Sequence, residues 1–167
     1  MINGKNKGST FERKVAKILS DWSGQQFNRV PLSGALRWET NDKRVVSDVV
    51  PPPSMKWPFS VECKRVEHDW DFSMLLIGTS TFWKHWEQAN GDAQREEIIP
   101  MLVFTKNYRN TYVAIYKDVL NILEKKTNSQ FLGSQLVIHF PQYSPITVSD
   151  FGELLNTYKL SDIQKLC

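Results

Sequence analysis

The stretch with the least freedom is residues 59–66, Phe-Ser-Val-Glu-Cys-Lys-Arg-Val, where apolar and polar side chains alternate from Phe59 through Lys64. A period of two belongs to a β-strand, whose successive side chains point to opposite faces. Val61 and Cys63 therefore turn together into a core, and Glu62 and Lys64 project together from the other face. Just upstream, residues 45–50 (Val-Val-Ser-Asp-Val-Val) are rich in the β-branched types that suit a strand. Pro51, Pro52 and Pro53 end it, because proline has no amide proton for a ladder. Two such strands separated by a turn are expected to pair antiparallel, which sets Asp48 near Glu62.

Helices and further strands surround this pair. Ser9 with Glu12 three residues on is the pattern of a capping box, so a helix is predicted to start at Ser9. Phe11, Val15, Ile18, Leu19 and Trp22 form its apolar face, and Gly24 stops it. Residues 26–30 are a short strand candidate, and 31–35 and 37–44 read as loop. A second helix is predicted over 79–96, with Phe82, Trp83, Trp86, Ala89 and Ala93 on its apolar side. Trp83 and Trp86 are assigned to the core rather than to base stacking. Strands follow at 100–104 and 111–116, a helix at 117–126, strands at 135–140 and 146–148, and a helix at 149–156. With no internal repeat and no linker, the expectation is one α/β domain over residues 1–167, a mixed central β-sheet flanked by helices. Its catalytic core would span residues 8–125, with additional strand and helix elements in 131–167.

Composition narrows the class. A chain of 167 residues that is 41% hydrophobic can bury a substantial core, which argues against disorder. No apolar run approaches the roughly 20 residues needed to span a bilayer. The first residues also lack the apolar segment of a secretory signal, so a cytoplasmic protein without a membrane partner is expected. Cys63 and Cys167 make no disulfide framework, and His68, His85 and His139 are too scattered for a zinc site. The net charge of +3 says little, but Lys5, Lys7, Arg13, Lys14 and Lys17 crowd the N-terminus. Such a bias suits nucleic acid and equally suits a solvated surface.

Two carboxylates and one ammonium converging on a point are a sufficient minimum for metal-assisted phosphodiester hydrolysis. Hard carboxylate oxygens hold Mg²⁺, which keeps several waters as candidate nucleophiles. An ammonium beside it orients the water or offsets charge in the transition state. The strand at 59–66 also reads as an ordinary half-solvated strand. Glu-x-Lys occurs again at 12–14 and 124–126, but on predicted helices, where residues two apart do not share a face. Strand context and the upstream Asp48 select the copy at 62–64.

The first 66 or so residues resemble the archaeal-type Holliday junction resolvases, a branch of the PD-(D/E)xK nuclease superfamily. The likeness runs in order through Lys7-Gly8-Ser9, Glu12-Arg13, Arg29-Val30-Pro31, Ser33-Gly34-Ala35, Ser47-Asp48-Val49-Val50 and Val61-Glu62-Cys63-Lys64. It implies a restriction-endonuclease-like fold. It also implies that Glu12, Asp48 and Glu62 bind metal, that Lys64 stabilises the transition state, and that Ser33 is the loop serine needed for cleavage. Arg13 and Arg29, with Arg37 as a further candidate, would contact DNA. Ser47 stands where the family has proline, and beyond Val66 the match is one of element order alone.

Several of these residues have a second reading. Glu12 is also a capping residue, Ser33 an ordinary turn former, and Arg29 and Arg37 surface charges. Gln88 is a candidate to approach the site from the second helix, and Lys84 lies elsewhere on it.

The expected function is a structure-selective DNA endonuclease, with Mg²⁺ as cofactor and Mn²⁺ able to substitute. It would resolve four-way junctions through paired nicks by a homodimer. The alternatives are another PD-(D/E)xK nuclease acting on duplex, flap or end substrates, in restriction, repair or phage DNA processing, and a catalytically silent DNA-binding protein.

Overall fold

The computed structural model describes residues 4–30, 47–66, 72–106 and 109–167. Helix α1 (Gly4–Ser23) leads to strand β1 (Asn28–Arg29), then β2 (Val49–Val50) and β3 (Phe59–Val66). Helices α2 (Phe72–Leu76) and α3 (Thr81–Arg95) lie between β3 and β4 (Ile99–Lys106). There follow β5 (Thr111–Tyr116), α4 (Lys117–Thr127), β6 (Gln135–Phe140), β7 (Tyr143–Asp150), α5 (Phe151–Thr157) and α6 (Leu160–Ile163), with a final 3₁₀ turn at Gln164–Leu166. The strands form one seven-stranded sheet in the order β1-β2-β3-β4-β5-β7-β6. Among the described strands only β3 and β4 run parallel; the other neighbours are antiparallel. This is the mixed, helix-flanked α/β sheet expected from the sequence.

The parallel pair explains the centre of the molecule. A parallel connection needs a crossover long enough to hold a helix, and α2 with α3 fills it. Helices then cover both faces, so β3 and β4 are buried over most of their length. On one face, Phe11, Val15 and Leu19 of α1 join Val61, Cys63, Met101 and Val103, with Leu120 of α4 and Phe151 and Leu154 of α5. On the other, Phe82, Trp83, Trp86 and Ala89 of α3 pack on Leu102, Phe104, Ala114, Ile138 and Ile146. Trp86 is wholly buried, and Trp83 Nε1 donates to the Leu75 carbonyl at 2.9 Å, so both tryptophans are core.

Local chemistry sets several boundaries. Gly24 ends α1 with φ +67, a conformation glycine adopts without strain, and its N–H donates to the Ser20 carbonyl. Ser80 caps α3 by accepting from the Phe82 N–H. Asp118 in the first turn of α4 and Lys125 and Lys126 in its last turn complement the helix dipole.

Three sequence expectations need correction. Helix α1 starts at Gly4 rather than Ser9, so Ser9 and Glu12 lie inside the helix and form no capping box. Of residues 45–50, only Val49 and Val50 are strand; Ser47 and Asp48 are a bend, and 45 and 46 lie outside the described residues. Helix α5 begins at Phe151, because Ser149 and Asp150 still pair with β5 and Asp150 serves as the N-cap. The short helix α2 was not anticipated.

Candidate active site

Register across β3 and β4 decides which way the key residues point. Glu62 stands opposite Leu102 and Lys64 opposite Phe104, and both partners belong to the core beneath α3. Val61 and Cys63 face α1. The alternation predicted for residues 59–64 is present, and Glu62 and Lys64 share the α3 face.

Asp48 reaches β3 by replacing a missing piece of strand. Its own N–H donates to the Val61 carbonyl, and its carbonyl accepts from the Val30 N–H, both at 2.9 Å. Strand β2 is too short to meet the Cys63 N–H, and the Asp48 carboxylate accepts that proton at 2.9 Å. The Ser47 hydroxyl lies beside it, accepting from the Val61 N–H at 3.3 Å and meeting the Ser60 hydroxyl at 3.0 Å. A proline here could not supply that hydroxyl. The Asp48 side chain thus satisfies a buried amide beyond the end of β2, whose Val49 pairs with Val61.

Glu62 is 3% exposed and is met by two donors at one oxygen. Gln88 Nε2 donates to its Oε1 at 2.8 Å, and the Lys64 ammonium forms an ion pair with the same atom. Burial, reinforced by the negative charge of Asp48, pushes the Glu62 carboxyl up to about 7. Lys64 acts in the opposite direction, and buried Asp92 adds to the rise. Asp92 is paired with Arg95 at 3.1 Å. His85 is held below its ordinary value by burial and by the Lys64 and Lys84 ammonium groups. Along α3, His85, Gln88 and Asp92 are three and four residues apart, the spacing of one helical face.

Glu12 takes a different partner. Its carboxylate forms an ion pair with Arg29, which ties α1 to β1. Its field reaches the buried Cys63 thiol, which burial, Asp48, Glu62 and Glu12 together push well above its usual range. Cys63 is therefore an inert core thiol. Arg13 and Lys84 are exposed. Ser33 and Arg37 lie outside the described residues. Gln88 is the candidate that the fold brings to Glu62, while Asp92 and His85 were not singled out from sequence. Their helical spacing with Gln88 was the available signal.

Among the described residues, no three His, Cys, Asp or Glu side chains stand close enough to enclose a metal ion. A hard divalent cation does not require such a cage, because it is commonly held by one or two carboxylates with waters and substrate phosphate. Asp48 and Glu62 fit that description. Both are buried, and the charge of Asp48 contributes to keeping a proton on Glu62 up to about pH 7. A divalent cation between such oxygens would relieve that repulsion.

No described helix is long and apolar enough to cross a membrane. No curated protein and no solved structure shows significant similarity to the chain. One family model, described as "Phage putative PDDEXK endonuclease", matches residues 3–165. That match covers Asp48, Glu62 and Lys64 and nearly the whole sheet with its helices. Nucleases with this site are typically dependent on a divalent metal, and DNA is the substrate such a family implies. The chain belongs to the phage PDDEXK endonuclease family.

Proposed function

We propose that the protein is a Mg²⁺-dependent DNA endonuclease in which Asp48 and Glu62 hold the ion and Lys64 acts on the scissile phosphate. The observation that carries this reading is the convergence of Lys64 and Gln88 on Glu62 beside Asp48. Bound there, a divalent cation supplies Lewis-acid polarisation of the phosphate and a more acidic water. The chain's own residues do the rest. Lys64 offsets charge growing on phosphate oxygens, and Gln88 fixes the Glu62 carboxylate by holding Oε1. Asp48 is anchored by the Cys63 N–H, so it contributes its charge without reorganising. Glu12 would join the ion through water or after releasing Arg29. Arg13, Arg29, Arg37 and Ser33 would meet the DNA, with Mn²⁺ replacing Mg²⁺ at some cost in rate.

For the substrate, the resemblance of the first 66 residues favours four-way junctions cut by paired nicks of a cytoplasmic homodimer. All 167 residues would act as one nuclease domain, because β7 extends the sheet through β5. Duplex, flap or end cleavage is the second reading. It is favoured by the family description, which names an endonuclease without a junction, and by the added β6–β7 hairpin. Incubation with Mg²⁺ and labelled four-way, three-way, flap and linear DNAs tests both. Paired nicks confined to the four-way junction support the resolvase. Equal cutting of linear duplex rejects it and leaves the general nuclease, and no cleavage with Mg²⁺ or Mn²⁺ rejects the enzyme altogether.

A further inference from the structure

Chain direction brings a second residue of α3 level with the reacting end of the site. Strands β3 and β4 are parallel, with Phe59 opposite Ile99, so α3 carries the chain back from the exit end of β3 to its entry end. Helix and strand therefore run in opposite senses where Gln88 donates to Glu62 at 2.8 Å. Going back along α3 from Gln88 to His85 covers about 4.5 Å. Going forward along β3 from Glu62 to Lys64 covers about 6.6 Å in the same direction. His85 and Lys64 thus leave their elements at nearly the same level, as Gln88 and Glu62 do. Asp92 lies on the other side of Gln88, toward the start of β3. The charges agree with this order: the Lys64 ammonium acts on His85, and the Asp92 carboxylate acts on Glu62.

This row stands at the mouth of the site. Trp86 and Ala89, their immediate neighbours on α3, are buried in the core. His85 is half-buried, Gln88 is exposed, and the Lys64 side chain keeps 25% of its surface exposed. An anion that reaches Lys64 from solvent therefore comes beside His85. Burial, then the Lys64 and Lys84 ammonium groups, favour the uncharged ring. An uncharged imidazole still carries one N–H donor and one lone pair. It offers a directed donor beside Lys64 without adding a third positive charge. The ammonium is a compact charge on a flexible stem, so it attracts an oxygen more than it fixes its direction.

We propose that His85 is a further catalytic residue of this site, its ring N–H donating to a non-bridging oxygen of the phosphate that Lys64 neutralises. The proposal rests on the nuclease reading of Glu62 and Lys64. The ring donates a hydrogen bond and gives up no proton, so the bonds made and broken at phosphorus are those of the metal-assisted hydrolysis. The bond strengthens as charge grows on that oxygen, which lowers the barrier rather than merely tightening binding.

The test uses the full chain with two substitutions. His85→Phe keeps a flat ring and removes both nitrogens, and His85→Gln keeps an N–H donor at similar reach. Single-turnover cleavage of a labelled four-way junction and of a linear duplex is followed in Mg²⁺, beside calorimetric titration with Ca²⁺ and a thermal midpoint. The expected result is a cleavage rate about 10²-fold lower in His85→Phe and within about 10-fold of wild type in His85→Gln, the scale for losing or keeping one donor to developing charge. Ca²⁺ affinity stays at the wild-type value in both, because the ring meets the phosphate and not the ion. Wild-type cleavage by His85→Phe overturns the role, and so does an equal loss in the two variants, which makes the ring's shape the requirement. A parallel loss of Ca²⁺ affinity also overturns it and leaves His85 as a support for the carboxylates. A wild type that cuts neither DNA removes the nuclease reading itself, and this role with it.

Discussion

Gln88 of α3 donates to the same Glu62 oxygen that Lys64 grips, although Gln88 and Glu62 are 26 positions apart in the chain. The crossover between the two parallel strands therefore does more than cover the sheet. It delivers the side chain that orients a buried carboxylate.

Removing that amide tests its importance. Gln88→Ala is expected to lower divalent-metal affinity or cleavage by about 10- to 100-fold, the usual scale for a group that positions a ligand. Calorimetric titration with Ca²⁺ and a nicking assay with Mg²⁺ measure the two effects. Wild-type values in both would show that Glu62 needs no help from α3.

Lys64→Ala removes the ammonium from Glu62 and from the reacting phosphate. Cleavage should fall by about 10²- to 10³-fold, the scale set by loss of one charge-stabilising donor. DNA binding in Ca²⁺ should change little. A variant that cuts at the wild-type rate would move the chemistry away from this strand.

Glu62 makes the metal-free protein sensitive to pH. Its carboxyl titrates at about 7 in the fold, above the ordinary 4.5, so the folded state holds a proton that the unfolded chain has already released. Stability should therefore decline as pH rises from 4.5 through 7, by about 3 kcal/mol in total. Urea unfolding in a chelator between pH 5 and 8 measures this. Glu62→Gln should flatten the profile and stabilise the metal-free protein at neutral pH. A wild-type profile that is level or rising over this range contradicts the assignment.

Ser47→Ala deletes the hydroxyl that receives the Val61 N–H and meets Ser60. Leaving the buried Ser60 hydroxyl without that partner costs about 1–3 kcal/mol, readable as a lower urea midpoint with an unchanged slope. Asp48 is the next residue, so cleavage should fall with stability. Full stability would mean that water replaces the serine.

What was legible in the sequence followed how local each interaction is. The face assignments of Val61, Glu62, Cys63 and Lys64 depend only on strand period, and they hold in the register with β4. The apolar stripe of α1 is equally local, but its start was misplaced. Ser9 and Glu12 match a capping pattern, whereas the helix continues back to Gly4 and Glu12 pairs with Arg29, 17 residues away. Residues 45–50 read as strand by propensity, yet Asp48 uses its side chain where a longer strand would use backbone. Asp92 was out of reach because its influence on Glu62 exists only once α3 has folded over β3.

The two faces of β3 also make the gene intolerant of a particular kind of error. Inserting or deleting one codon between Phe59 and Glu62 would exchange the environments of the residues that follow. Glu62 and Lys64 would turn into the apolar packing of Phe11, Val15 and Leu19, and Cys63 would take their place under α3. An unpaired buried charge is costly enough to unfold a domain of ordinary stability. Along this strand, length should drift far less than composition, and a one-codon indel should abolish the fold rather than merely the chemistry.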